Sequence, residues 1–340
     1  MPTDQAMHNT VPVIDIAPFL EGAAAGKKET AARVGRACAD IGFFTVVHHG
    51  VARPLVEEMY DVSRRFFDLP LAAKLKVKRP KPEQSRGYIG VGDEHLAYSL
   101  GNAGTTDLKE FFAIGPVDVP DEEYYYRPAA YPAFAHNLWP ERPEGFRRVW
   151  TDYYHAMAAL ARQIARMFAL ALALPEDFFR PSIDRHISGI RVLNYPDQPE
   201  PPAPGQLRAG AHSDYGAFTI LKTEDAPGGL QVFNRRQEWV DVPSVPDSFV
   251  VNIGDLMMHW TNDRFVSTLH RVVNPPRDHA LGSRRQSTAF FFQPNYDALI
   301  ACLPTCCGPD RPPKYAPVTS GEHRLRKFLA TVSAAPPSAQ

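Results

Sequence analysis

Three side chains in this sequence have the types and spacing to hold a metal ion. His212 and Asp214 stand in Ala-His-Ser-Asp-Tyr-Gly, and His270 stands in Thr-Leu-His-Arg-Val. In an extended strand, residues i and i+2 point to one face, so His212 and Asp214 would present an imidazole and a carboxylate side by side. His270 lies 56 positions after Asp214, far enough for intervening strands to return it from another wall. Two imidazoles and one carboxylate on one side of a metal leave the other side open to exchangeable ligands. That arrangement suits a non-haem ferrous ion.

A second i, i+2 pair follows. Arg285 and Ser287 would offer a planar cation and a hydroxyl to one partner. A guanidinium grips a carboxylate through two parallel hydrogen bonds, which a lysine cannot reproduce. An iron site followed by a carboxylate anchor suits dioxygen chemistry with a keto acid. A single buried histidine or a turn-capping aspartate would need no metal, so the weight rests on the set.

The elements that must position these residues change along the chain. Residues 11–16 read as a short strand, 27–40 as a helix ended by Gly42, 43–47 as a buried strand and 55–67 as a helix. His48 and His49 are adjacent and would face opposite ways on a strand, so they read as a strand end entering a turn. Residues 78–142 mix turn formers with aromatics and read as long loop packed over the core, with a strand within 107–115. From 143 to 174, Trp150, Tyr153, Met157, Leu160, Ile164 and Phe168 step at three and four residues, the stripe of a core-facing helix, and Pro175 stops it.

After residue 186 the pattern turns to strands: 190–195, 217–222, 229–233, 239–242, 249–253, 256–259, 265–273 and 287–293. Many short strands bounded by Gly, Pro, Asn and Asp predict a sandwich or barrel. Residues 294–317 are proline-rich loop and 321–332 a terminal helix. The fold class expected is mixed α/β with a mainly β core, a double-stranded β-helix or jelly roll, with a long supporting helix and a helical and loop N-terminal region. The divisions are 1–120 for the N-terminal region, 121–186 for loop and long helix, 187–295 for the jelly-roll core and 296–340 for the C-terminal loop and helix.

The 340 residues suffice for a large core. Net charge is −1 with no long charged block, which gives no reason to expect nucleic acid or a membrane surface as partner. No signal-type start and no membrane-length apolar run appear, so the expected location is cytoplasmic. Four cysteines are too few for a disulfide framework; Cys302, Cys306 and Cys307 cluster without a second spaced pair or a nearby histidine.

Taken in order, these residues resemble the isopenicillin N synthase-like Fe(II)/2-oxoglutarate-dependent dioxygenases. The resemblance covers most of the chain: Val11-Pro-Val-Ile-Asp-Ile16, Ile41-Gly-Phe-Phe44 with His49-Gly-Val51, Arg86-Gly-Tyr88 and Arg191-Val-Leu-Asn-Tyr-Pro196. It continues through His212-Ser-Asp214, Gly228-Gly-Leu-Gln-Val232, Gly254-Asp255, Thr261-Asn262, Ser267-Thr-Leu-His-Arg-Val272, Arg285-Gln-Ser287 and Phe290-Phe-Phe-Gln-Pro-Asn295. It implies His212, Asp214 and His270 as iron ligands, Arg285 and Ser287 as the anchor of the distal carboxylate of 2-oxoglutarate, and Tyr195 as a further co-substrate contact. The gap from His270 to Arg285 is 15 residues, longer than the family pattern, as if 275–282 formed an enlarged hairpin loop. It leaves Arg284 as a rival anchor; the shared face with Ser287 favours Arg285.

The resemblance implies an oxidoreductase that uses Fe(II), 2-oxoglutarate and dioxygen to hydroxylate, desaturate or cyclise at an unactivated C–H of a small molecule, with release of succinate and CO2. Specialised-metabolite or amino-acid oxidation fits at the family level. Two alternatives stay open: an iron oxidase that does without 2-oxoglutarate, as isopenicillin N synthase does, and a non-catalytic metal or ligand-binding module. Candidate substrate-lining residues, by position, are Arg86, Tyr88, Tyr98, Phe111, Tyr215 and Phe292.

Overall fold

The alternation that links Arg285 to Ser287 extends along a whole strand and sorts the molecule into a cavity side and a helix side. The structure is a computed structural model that describes residues 10–93, 106–279 and 281–332. Its site-bearing strands are β1 (Val13–Asp15), β2 (Phe43–Val47), β3 (Gly87–Ile89), β4 (Glu110–Ile114), β5 (Gly189–Tyr195) and β6 (Ala209–His212). They continue with β7 (Phe218–Thr223), β8 (Leu230–Phe233), β9 (Trp239–Asp241), β10 (Phe249–Ile253), β11 (His270–Val272) and β12 (Arg285–Phe292). Eight form a major sheet in the order β1-β2-β10-β7-β12-β5-β4-β3, and four form a minor sheet, β6-β11-β8-β9. All pairings are antiparallel except β1 with β2. This is the jelly roll the strand pattern predicts.

Each major-sheet strand sends alternate residues to opposite sides. On the outer side, Ile190 and Val192 of β5 and Phe290 and Phe292 of β12 join one buried cluster with the helix Phe146–Ala171. Tyr154 meets Phe290 edge-on at 5.4 Å between ring centroids, and Phe218 lies 4.7 Å from Phe292. Burial of each such phenylalanine contributes about 1.5–3 kcal/mol, so this helix is the main brace of the sheet. The helix Ala24–Asp40 crosses it closely. A Cβ at Gly35 would sit 2.8 Å from the Ala171 Cβ, so only glycine fits there.

On the inner side, the two sheets enclose a cavity. Arg285, Ser287, Ala289 and Phe291 line it from β12, while Leu230 and Val272 face them from the minor sheet. The helix Ser320–Val332 closes one end with Arg324 and Phe328. Among the described residues, no helix is long and apolar enough to cross a membrane.

Several elements differ from the sequence expectation. Residues 256–259, expected as strand, lie in the helix Asp255–Trp260, where Leu256, Met257 and Trp260 are buried together. A short apolar run of this kind does not distinguish the two states by itself. The strand expected at 265–273 is regular only over His270–Val272. The strands β3 and β6 lie where none was expected. Ala-Gly-Ala-His has little intrinsic strand preference, and β6 exists through its pairing with β11.

Candidate metal centre and anion-binding cavity

His212 and His270 are Cα partners across β6 and β11. Each ring is held by a carbonyl two residues back on its own chain: His212 Nδ1 lies 2.8 Å from Gly210 O, and His270 Nδ1 lies 3.1 Å from Thr268 O. With Nδ1–H donating to those carbonyls, both Nε2 lone pairs are left to face the cavity. They lie 4.0 and 3.8 Å from Asp214 Oδ1. Asp214 is not on the strand with His212. β6 ends at His212, and Ser213 and Asp214 lie in irregular backbone that leads into a bend at 215–217.

Asp214 divides its oxygens between two tasks. Oδ2 accepts hydrogen bonds from Thr219 Oγ1 and Asn252 Nδ2, both at 2.6 Å. Oδ1 is turned to the imidazoles. Burial opposes the charge on Asp214, but His270, His212 and these two hydrogen bonds outweigh it and hold the carboxyl below its usual range. Burial, then the nearby His270, pushes His212 down to about 4, so it is neutral at pH 7, the form that ligates metal. Among the described residues this is the one cluster of three metal-ligating side chains whose donor atoms all lie within 4.8 Å of one another. Two imidazole nitrogens and one carboxylate oxygen, each with its other polar atom already held, fit a ferrous ion.

Arg285 and Ser287 line the same cavity from β12, and Tyr195 of β5 stands directly opposite Arg285. Arg285 is 4 % exposed; its Nη1 donates to Gly228 O at 2.7 Å, and its Nε is buried with no partner among the described residues. The loop that delivers this carbonyl needs glycine, because Gly228 has φ +73° and a Cβ there would meet Pro275 N and Val273 O at 2.8 Å. Arg284 points the other way. Its Nη1 donates to Asp68 Oδ1 at 2.5 Å and its Nε to Asn194 Oδ1 at 3.1 Å, outside the cavity.

The substrate-lining candidates divide. Tyr215 and Arg86 line the cavity, although the Arg86 guanidinium is committed to the carbonyls of Ala133, Ser85 and Ala135. Tyr88 does not: it is buried in the outer core, with its hydroxyl donating to Glu110 at 2.6 Å. Phe111 is not among the described lining residues; it packs beside Leu193 on the cavity side of the sheet and carries the Arg191 guanidinium on its ring at 4.1 Å. Phe292 belongs to the helix side of β12, and its neighbour Phe291 takes the cavity side. Tyr98 lies outside the described residues. Cys302 and Cys307 both donate to Leu303 O, at 3.6 and 3.5 Å.

Sequence reasoning passes over several residues that shape the site. Phe291 was legible, since the alternation from Arg285 through Ser287 continues to it. Thr219, Asn252, Arg191, Arg208 and Arg324 carry no spacing signal. Arg208, 0 % exposed, donates to the carbonyls of Pro227, Pro196 and Ser283, tying three loops together beside Tyr195.

Two family profiles match the chain: "non-haem dioxygenase in morphine synthesis N-terminal" over residues 11–142, and "2OG-Fe(II) oxygenase superfamily" over residues 187–294. The sequence is 36% identical over 317 residues to the 2-oxoglutarate-Fe(II) type oxidoreductase hxnY of Emericella nidulans, covering 91% of this chain and 86% of that protein. It is 33% identical to the homoarginine-6-hydroxylase 2-ODD-233 of Oryza sativa subsp. japonica, covering 94% and 96%. The crystal structure of a full-length Neurospora crassa protein in complex with alpha-KG and thymine superposes with a TM-score of 0.82 at 30% identity, covering 94% of this chain and 97% of that one.

Proposed function

The chain belongs to the 2OG-Fe(II) oxygenase superfamily, and from that premise we propose that His212, Asp214 and His270 hold the iron while Arg285 and Ser287 receive the far carboxylate of 2-oxoglutarate. It is an oxidoreductase that depends on Fe(II) and 2-oxoglutarate and acts on a small molecule. The observation that carries the residue assignment is the pairing of two fixed imidazoles with a carboxylate whose second oxygen is already bound.

Bound iron and keto acid supply dioxygen reduction coupled to decarboxylation, releasing succinate and CO2 as a substrate C–H is oxidised. The chain's own residues set the stage. The Gly210 and Thr268 carbonyls keep both imidazoles in the tautomer that ligates through Nε2. Thr219 and Asn252 hold Asp214 ionised and aimed. Arg285, with its Nε buried and unpaired among the described residues, offers a fork to a carboxylate, and the Ser287 hydroxyl lies two residues further along the same face. Leu193, Leu221, Leu230 and Val272 make the surrounding wall apolar and keep water from competing at the centre.

Hydroxylation is the outcome we favour, because the rice relative is named a hydroxylase and relatives from soybean and Arabidopsis share that name. The iron-only oxidase and the binding module find less support, since several relatives are named as 2-oxoglutarate-Fe(II) oxidoreductases. The test is an anaerobic titration of apoprotein with Fe(II) and then 2-oxoglutarate. A weak visible charge-transfer band is expected only with both present, and is lost in His270→Ala. Iron binding without that band at saturating keto acid would overturn the assignment.

A further inference from the structure

Three of the four cysteines fall on one loop that the oxygenase reading does not use. Cys302, Cys306 and Cys307 lie between β13 (Leu299–Ile300) and β14 (Val318–Thr319), and β14 runs directly into the terminal helix Ser320–Val332. None of them is among the described lining residues of the cavity. A short 3-10 turn over Pro304–Cys306 reverses the chain between Cys302 and Cys307, closed by Cys306 N–H donating to Leu303 O at 2.8 Å. The same oxygen accepts from Cys302 Sγ at 3.6 Å and from Cys307 Sγ at 3.5 Å. Two sulfurs on one oxygen are neighbours. A carbonyl has two lone pairs and a thiol is a weak donor, so three donors on this oxygen leave the thiols loosely held.

The loop that brings them together is fixed. Leu303 N–H donates to Trp260 O at 2.9 Å, and Asn262 Nδ2 donates to Cys306 O at 3.2 Å and to Pro312 O at 3.1 Å. Leu303 and Cys306 belong to the buried cluster beneath the long helix, whereas Cys302 and Cys307 are half-buried and open to a small reagent. Cys38 is 0 % exposed, alone in the helix Ala24–Asp40. Of the four thiols, Cys302 and Cys307 are therefore the pair that is both adjacent and reachable. Among the described residues no three thiols converge closely enough to hold a metal, which leaves the chemistry of two. Burial, then the neighbouring Cys307 thiol, pushes Cys302 up to about 11, so it keeps its proton at neutral pH.

We propose that Cys302 and Cys307 form a redox-active dithiol that hydrogen peroxide converts to an intrachain disulfide. Cys307, as thiolate, attacks one peroxide oxygen. The O–O bond breaks, the leaving hydroxide takes up a proton as water, and Cys307 becomes a sulfenic acid. The Cys302 sulfur then attacks the Cys307 sulfur. The S–O bond breaks, and the Cys302 proton leaves with the hydroxyl as a second water. The two thiols lose two electrons and one peroxide is reduced to two waters. The disulfide staples the loop at the foot of the terminal helix and touches neither the iron ligands proposed above nor the co-substrate anchor, so the site stands whether or not that reading does.

The probe is hydrogen peroxide, added to the reduced full chain freed of iron by a chelator, so that no metal competes for it. Thiols are then alkylated in denaturant and located by mass spectrometry. Cys302 and Cys307 are expected to lose alkylation together, with a mass lower by two hydrogens, while Cys38 and Cys306 stay alkylated; dithiothreitol restores both. Cys302→Ser should leave Cys307 as a sulfenic acid that dimedone traps, and Cys307→Ser should slow peroxide consumption about tenfold or more. Four outcomes would overturn the proposal: a disulfide that includes Cys306, alkylation of Cys302 and Cys307 that peroxide leaves unchanged, no dimedone adduct at Cys307 in Cys302→Ser, or parental peroxide consumption in Cys307→Ser.

Discussion

His212 and His270 occupy one rung of the β6–β11 ladder, with ring centroids 4.3 Å apart. Neighbouring strands therefore set the spacing of the two nitrogens proposed as ligands, and only Asp214 must be brought in by irregular backbone beyond the strand.

That dependence makes Asp214 the sensitive member. His212→Ala and Asp214→Ala should each abolish succinate release coupled to substrate. Thr219→Val, which frees Oδ2 on one side, should weaken Fe(II) about tenfold while leaving the fold intact. Fe(II) titration of the three variants checks this; near-normal activity in both alanine variants would remove these residues as ligands.

Arg285→Lys should raise the KM for 2-oxoglutarate about tenfold or more, because a point charge replaces a fork. Arg284→Lys should leave it nearly unchanged, since Arg284 binds Asp68 and Asn194 outside the cavity. Steady-state kinetics with 2-oxoglutarate as the varied component decides between them, and the reverse result would move the anchor by one residue.

Phe291 and Phe292 are adjacent but should behave as different kinds of residue. Phe292→Ala opens a hole in the core beneath the long helix and should cost about 3–5 kcal/mol in urea unfolding. Phe291→Ala should cost much less and instead change substrate turnover. Equal stability losses would place both rings in the core.

The contrast between these two rings shows how far the sequence was legible. Strand periodicity and the Arg-x-Ser pair give the face of β12, and the same count carried two positions further reaches Phe291. The jelly roll was readable because its strands alternate or carry β-branched residues. β6 was not, since Ala209-Gly-Ala-His212 gains its conformation only from β11. Thr219, Asn252 and Arg324 were invisible for a different reason. Each reaches the cavity through tertiary folding from a distant or unpatterned position, and no local rule records that.

His323 gives a pH dependence. It is 0 % exposed, neither ring nitrogen has a hydrogen-bond partner among the described residues, and its ring meets His259 edge-on at 5.2 Å near Lys327, Arg326 and Asp255. Burial, then His259, pushes it down to about 4. The unfolded chain takes up this proton first, near an ordinary value of about 6.5. Stability is therefore complete above that pH and falls away as pH drops toward 4. The Tm of His323→Phe should fall less steeply than that of the parent across this window; parallel curves would show that His323 does not contribute.

His212 and His270, proposed as iron ligands, belong to the minor sheet, while Arg285 and Ser287, proposed as the co-substrate anchor, belong to the major one. A keto acid held at both ends is then a tie-rod between two layers that otherwise meet through side chains. Sliding of one layer past the other would stretch the ligand before it broke the core. Loading the enzyme should stiffen the sandwich as a whole, and the loss of co-substrate after each turnover would loosen it again, once per cycle.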